Sequence, residues 1–506
     1  MHIVLATLNA RYSHASFGLR YLFANLGDLR PCARMLEFEL RQPVEHVVET
    51  LLAAAPQIVG LGVYIWNVAP LTRVVRALRA ARPDLLIVLG GPEVSYEVEQ
   101  QEICTLADYV ITGEADHAFP DLCRALLAGQ RPASRVIVAP PADVRDLPLP
   151  YELYTDEDIA HRVIYVEASR GCPFTCEFCL SSLDSPVRRF PLDTLLPAFQ
   201  RLLDRGVQHF KFVDRTFNLS IPYSVRLLEF FLARHRPGLF LHFEMIPDRL
   251  PAELRALICA FPPGTLQFEV GIQTFNPEVA ARIRRRQDYA KTEENLRFLL
   301  QETGSYIHAD LIYGLPGESV ESFAAGFDRL VALGPQEIQV NQLKRLRGTP
   351  IVRHDAEWAM QWESAPPYEV IGNRLIPPPA MQALRRFAKY WDLIANSGNF
   401  VETAPLLWSG ASPFAAFTAL SDFLHARFAR THGIALADLV KAVFDYLRDR
   451  GHPPAELADR VWRDYRRSAR RDLPLFLRPW LPDEPRHRDA TAATSGLKRQ
   501  RRRATP

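Results

Sequence analysis

Two successive series of short apolar runs, each run followed by a helical pattern, leave this chain few folds to choose from. In the first series HIVLATL, IVGLGVYIW, LLIVLGG and DYVITGE are separated by helical stretches such as VEHVVETLLAAAPQ and LTRVVRALRAARPD, and ADHAFPDLCRALLAG follows the last of them. Strands that are apolar throughout need cover on both faces, the property of a parallel sheet flanked by helices. Residues 1–138 are therefore expected to form an α/β domain with a Rossmann-like, doubly wound parallel sheet. Ligands of such sheets sit beyond the carboxyl ends of the strands. Here those ends are Asn9 to His14, Tyr64 to Asn67, Gly90 to Glu93, and Gly113 with Glu114.

The stretch APPADVRDLPLPYELY breaks both periodicities and reads as a linker over 139–160. The second series then runs through VIYVEAS, HFKFVD, FLHFEMI, TLQFEVGIQ, YIHADLIYG and EIQVNQL, which makes six βα steps within 161–350. Parallel strands with right-handed crossovers curl into a full or partial TIM-like barrel whose chemistry lies on the loops after the strands. Over 351–482 the strand signals fade, and MQALRRFAKYWDLIANSG, PFAAFTALSDFLHARFAR and LADLVKAVFDYLRDRG read as amphipathic helices of a C-terminal domain. Residues 483–506 hold hardly any apolar side chains and include KRQRRR, Lys498 to Arg503. That composition is expected to be a basic, disordered tail rather than a nucleic-acid contact. The balance of 60 basic against 58 acidic residues provides no overall field for polyanions.

The opening residues, MHIVLATLNARYS, lack a basic n-region, and no apolar run approaches the ~20 residues a membrane span requires. Seven cysteines, an odd number, argue against a disulfide framework, so a reducing, cytoplasmic setting is expected. Three of them, Cys172, Cys176 and Cys179, fall in GCPFTCEFC, the loop after the first strand of the second series. Structural zinc normally closes its tetrahedron with four ligands in two separated pairs, and no second pair exists here. A [4Fe–4S] cluster given three cysteines keeps one iron with an open site for a chelating substrate.

The C-x-x-x-C-x-x-C spacing, with Phe178 just before the last cysteine, resembles the radical S-adenosylmethionine (SAM) superfamily. The resemblance implies a [4Fe–4S] cluster on Cys172, Cys176 and Cys179, with SAM chelated at the open iron. It also implies reductive cleavage of SAM to a 5′-deoxyadenosyl radical, fed by a low-potential donor of flavodoxin or ferredoxin type. Further matches assign SAM contacts. Asp214, in VDRTFN, stands where the family has a Gly-Gly-Glu-like stretch, although the glycines are absent, and would take the SAM amino group. Glu269 and Gln273, in EVGIQTFN, would face the ribose, and Gly314 and Gly317, in ADLIYGLPGES, would let the backbone approach the adenine.

The first domain resembles the cobalamin-binding modules found in one subset of the superfamily, with Tyr64, Trp66, Asn67, Gly90, Gly91, Pro92, Gly113 and Glu114 at the binding positions. The Asp-x-His-x-x-Gly ligand motif is missing: His14, in RYSHASFG, has Tyr12 in place of the aspartate and reaches Gly18 one residue late. Cobalamin without a histidine ligand is the expectation. The third segment resembles a helical C-terminal domain of unknown function. Together these features imply a radical SAM enzyme, in its simplest form a cobalamin-dependent methyltransferase of a small or unknown substrate, with Met245, Arg249, Asn341 and Lys344 as candidate substrate contacts near strand ends. A cobalamin-independent radical SAM enzyme and a non-catalytic cobalamin or cluster sensor are the alternatives. A methylthiotransferase would need three more cysteines in the first domain. Cys32, Cys104 and Cys123 are present but none ends a strand, so they are read as packing residues.

Overall fold

The computed structural model of the protein describes residues 2–184, 186–470, 472–481 and 498–504. Twelve strands form two six-stranded sheets. The first contains β1 (Ile3–Asn9), β2 (Ala33–Glu39), β3 (Ile58–Gly62), β4 (Leu86–Gly90), β5 (Tyr109–Gly113) and β6 (Val136–Ala139), in the order β2-β1-β3-β4-β5-β6. Every pairing in it is parallel. β1 is buried along its whole length. Its alternate residues feed two cores: Val4, Ala6 and Leu8 pack into one, and Ile3 and Leu5 into the other. The four strands expected from their apolar runs are present. β2, the strand after Cys32, and β6 complete the sheet at its two edges, where half-exposed side chains weaken the apolar signal.

Contacts divide the chain into two compact units, one of Met1–Arg215 with Lys344–Arg353 and Trp362–Glu369, the other of Thr216–Leu343 with His354–Gln361 and Val370–Pro506. The first unit holds the Rossmann-like sheet and two strands of the second sheet, β7 (Ile164–Val166) and β10 (His209–Phe212), paired in parallel with Phe210 opposite Ile164. Between them β8 (Ser169–Arg170) and β9 (Arg188–Arg189) make an antiparallel hairpin that closes the base of the cysteine loop. The second unit holds β11 (Phe240–Met245), β12 (Leu266–Gln273), β13 (Tyr306–Tyr313) and β14 (Glu337–Gln342), each parallel to the next. Helices such as Ile221–Leu232, Tyr289–Glu302 and Val320–Leu333 supply the crossovers. The expected α/β architecture of sheet, partial (β/α)₆ barrel and helical end is the observed one.

Two boundaries differ from expectation. The segment Lys344–Arg353, read from sequence as the close of the barrel to 350 and the start of the helical domain from 351, packs with the first unit. The basic run is not disordered: Lys498–Ala504 is a helix. Arg499 pairs with Asp392 at 2.7 Å and with Glu337 at 3.2 Å, and Gln500 is buried against Gln267. Arg502 and Arg503 donate to the carbonyls of Ser397 and Ala395, just past the end of helix Pro378–Ile394. Cations are favoured where helix carbonyls lack partners, and that draws in a run which composition alone assigns to solvent. Residues 483–497, 505 and 506 of the expected tail lie outside the described residues.

Candidate cofactor sites

The cysteine loop leaves the β8–β9 hairpin through Gly171, whose φ is +88°. A Cβ there would stand 2.8 Å from the carbonyl oxygens of both Asp184 and Pro186, so the returning strand of the loop passes where a side chain would be. The Cys172 N–H donates to the Asp184 carbonyl (2.8 Å) and the Cys179 N–H to that of Cys176 (3.2 Å). Cys172 and Cys176 are buried, whereas Phe178 and Cys179 are half-buried. Beneath the loop Asp214 is buried, and burial pushes its carboxyl up to about 6. Its Oδ2 accepts from the Ala168 N–H (2.9 Å) and its Oδ1 from the Ser169 hydroxyl (2.6 Å). The group expected to take an incoming amine thus has both oxygens engaged by the chain, where it pins the entrance to the cysteine loop.

Sequence reasoning missed the residue just before Gly171. Arg170 pairs with Asp116 (2.9 Å), Glu167 (3.1 Å) and Glu114 (3.4 Å), and its guanidinium stands 4.6 Å from the centre of the Tyr21 ring. Burial opposes its charge, but Glu167 and Asp116 outweigh the loss of water and hold it cationic. Burial pushes Glu167 up to about 7. Arg188, opposite Arg170 in the hairpin, donates to Glu114 at 2.9 Å. Both arms of the cysteine loop therefore reach the residue that follows β5.

That cluster forms one wall of a cavity of about 270 Å³ against the first sheet. Of the residues expected at the cobalamin site, Tyr64, Gly90, Gly91, Gly113 and Glu114 line it, as do Glu167 and Arg170, whereas Trp66, Asn67 and Pro92 do not. Asn67 is fully buried, and its side chain bonds Thr7, Leu8, Gly62 and Tyr64, which makes it a brace for the strand ends. Pro92 is exposed, and Trp66, 46% exposed, stacks on Tyr64 with ring centres 4.5 Å apart. His14 Nδ1 is 2.6 Å from the Tyr165 hydroxyl.

In the second unit Phe268, Val270 and Ile272 are buried, whereas Glu269 and Gln273 are half-buried, so these two share a side of β12 as expected. Gln273 lies in the left-handed region (φ +71°), next to a register shift between Gly271 and Gln273. Glu269 Oε2 is 3.0 Å from His242 Nε2. On β13, His308 Nε2 is 2.8 Å from Gln339 Oε1 and 3.5 Å from Asp310 Oδ1. Burial opposes the His308 charge, but Asp310 and Glu269 prevail and raise it to about 9. The polar alternation in LHFEM and YIHAD was the signal for this row, passed over because each residue alone resembles a surface position.

The two loop glycines also leave space for neighbouring side chains. A Cβ on Gly314 would fall 2.6 Å from Val370, and one on Gly317 would fall 2.1 Å from Arg282, which itself lies over the Trp358 ring. Their missing side chains make room for the chain's own packing. Among the candidate substrate contacts, Met245 is buried, Asn341 half-buried, and Arg249 and Lys344 exposed.

Family models match three stretches: the radical SAM superfamily over residues 166–330, a B12 binding domain over 3–123, and a protein region of unknown function, DUF4080, over 356–503. The chain carries radical SAM and B12-binding domains. It is 23% identical over 347 residues to the cobalamin-dependent radical SAM methyltransferase TokK of Streptomyces tokunonensis, a match covering 61% of this chain and 50% of TokK. The ribosomal protein uS12 methylthiotransferase RimO of a Synechococcus species is 25% identical over 247 residues, 47% of this chain and 51% of RimO. The solved structure of TsrM from Kitasatospora setae with cobalamin and a [4Fe–4S] cluster bound has a TM-score of 0.59 at 19% identity, covering 75% of this chain and 79% of that one. The chain spans about half the length of the curated relatives it matches.

In the radical SAM domain the cysteine loop offers three thiols as donors. Glu177, the carboxylate between the second and third of them, is drawn off by Arg353 at 2.7 Å. No three His, Cys, Asp or Glu among the described residues are gathered around a single-ion site. A cluster, whose irons sit at separate corners, asks for thiols spread along a loop, and the donor set fits it. In the B12-binding domain the cavity has a glycine floor, and at Gly91 (φ +114°) a Cβ would meet the Val63 carbonyl at 2.4 Å. Cys104 and Cys123 belong to the two different cores of this domain. Burial pushes their thiols up to about 11 and about 12, the state of packing groups rather than ligands. Among the described residues no helix is long and apolar enough to cross a membrane.

Proposed function

We propose that the protein is a cobalamin-dependent radical SAM methyltransferase acting on a small molecule. The observation that carries this reading is the shared wall: Glu167 and Arg170 line the cavity of the B12-binding domain and lead within two residues into Cys172. Cys172, Cys176 and Cys179 would hold a [4Fe–4S] cluster, and the cavity would take one arm of a corrinoid. When bound, these groups supply one-electron cleavage of SAM and carriage of a methyl group, with a flavodoxin- or ferredoxin-type protein as the electron source.

The chain's own part is positioning and charge. Arg170, held cationic among three carboxylates, keeps the start of the cysteine loop against the end of β5. Asp214 holds the Ala168 N–H and the Ser169 hydroxyl, and burial of Cys172 and Cys176 keeps water from two of the thiols. On β12, Glu269 and Gln273 would contact SAM. His308, protonated at neutral pH, offers a proton in the same strand layer as Glu269. The methylthiotransferase reading is disfavoured, because Cys104 and Cys123 pack into different cores.

Anaerobically reconstituted protein should carry about four iron and four sulfide per chain. It should bind hydroxocobalamin and release 5′-deoxyadenosine from SAM with dithionite. The Cys172→Ala, Cys176→Ala, Cys179→Ala variant should lose iron and SAM cleavage but keep cobalamin. Retention of the cluster in that variant would overturn the ligand set, and failure of the wild type to bind any corrinoid would overturn the methyl carrier.

A further inference from the structure

Glu177 stands inside the cysteine loop, one residue after Cys176 and two before Cys179, with its side chain 1% exposed. A buried carboxylate needs a counter-charge. Arg353 provides it from a point 176 positions along the chain: its Nε donates to Oε2 at 2.9 Å, and its Nη2 lies 2.7 Å from Oε1. The backbone joins in, since the Ile351 N–H donates to the Glu177 carbonyl at 3.0 Å. The segment that carries these groups is itself anchored on the B12-binding domain. Arg347 pairs with Glu93 (2.9 Å) and Glu97 (2.7 Å) and donates to the Tyr368 hydroxyl (2.9 Å), and Arg345 pairs with Glu97 (3.1 Å).

From this arrangement we infer that Glu177 and Arg353 are positioning residues for the iron–sulfur centre, a charge-neutral clamp that closes the cysteine loop and sets the potential of what it holds. The inference rests on the reading that the loop carries a [4Fe–4S] cluster. A cluster on three thiolates is anionic and must accept a further electron, and its potential responds to nearby charge and to solvent exposure. An unpaired carboxylate on the residue next to a ligand would oppose that electron. With Arg353 in place the pair adds no net charge, and the same contact keeps the loop folded over Cys176. A purely structural salt bridge would shield the thiols. It would not require that removing one charge or the other move the potential in opposite directions.

The test uses full-length protein and four variants: Arg353→Gln, Glu177→Gln and their combination for the potential, with Arg353→Lys added for the alkylation. In cluster-free protein, alkylation of Cys176 by iodoacetamide, followed by mass spectrometry, should be several-fold faster in Arg353→Gln than in wild type, with Arg353→Lys intermediate. In reconstituted protein titrated with dithionite and followed by electron paramagnetic resonance, the midpoint should move negative in Arg353→Gln and positive in Glu177→Gln. It should return close to wild type in the double variant, which also guards against misfolding of either single one. Equal midpoints in all four proteins, or shifts of one sign, would overturn the electrostatic role, and unchanged alkylation would overturn the clamp. A wild type that takes up no iron while Arg353→Gln still alkylates faster would overturn the cluster reading and leave the clamp standing.

Discussion

Asp214 shows how little a side chain's identity says about its task. Its position after a barrel strand suggests a ligand contact, and both oxygens also hold the entrance to the cysteine loop. Burial raises its carboxyl from 3.8 to about 6, so folding favours the protonated form. The associated stability is fully present below the unfolded value and is lost as pH rises through about 6. Cofactor-free wild type should therefore lose about 2–3 kcal/mol relative to Asp214→Asn between pH 4 and pH 7, at about 1.4 kcal/mol per unit. Urea midpoints of the two proteins at the two pH values measure this, and curves that stay parallel would contradict it. His308 runs the other way in chemistry but obeys the same rule. Raised from 6.5 to about 9, it contributes stability that is complete below 6.5 and disappears as pH rises through about 9. The advantage of wild type over His308→Gln should accordingly fade across that interval.

At the scale of elements, the strand-end turns decide what can bind. The Val63 N–H donates to the Gly90 carbonyl at 2.8 Å, and this close approach leaves no room for a side chain on the next residue. Gly91→Ala would force a Cβ to 2.4 Å from the Val63 carbonyl at a φ of +114°, and should cost about 2–4 kcal/mol, since it adds a backbone clash to the strain of a left-handed position. A Cβ on Gly90 would meet the Ile111 carbonyl only at 3.7 Å, an ordinary contact. Thermal melts should separate the pair, with Gly91→Ala strongly lowered and Gly90→Ala near wild type. Cobalamin affinity should fall in the first before it falls in the second.

At the scale of the molecule, the C-terminal run of basic residues belongs to the packed structure of the second unit. Arg499 serves Asp392 and Glu337, and buried Gln500 meets buried Gln267. A chain ending before Lys498 would leave the buried side chains of Glu337 and Gln267 with fewer partners, at about 1–3 kcal/mol for each left unsatisfied. Scanning calorimetry should show a lowered transition for the truncated protein. Hydroxocobalamin affinity, which depends on the first unit, should stay unchanged, and equal transitions in the two proteins would show that the helix contributes nothing to stability.

The sequence by itself determined the elements whose burial is local. β1, β3, β4 and β5 are apolar on both sides and were legible from their letters, as was the spacing of Cys172, Cys176 and Cys179 on the loop after the first barrel strand. The edge strand β2 was legible only as the strand that follows Cys32, and β6 was not legible, because one exposed border dilutes the pattern. Only the tertiary structure decided the partners of charges. Arg170 meets Asp116, Arg353 meets Glu177 and Arg499 meets Asp392 across 54, 176 and 107 positions of chain. Hydrophobic periodicity records which side of an element is dry. It carries no record of which distant cation will arrive beside a buried carboxylate, because that depends on where the chain returns after folding.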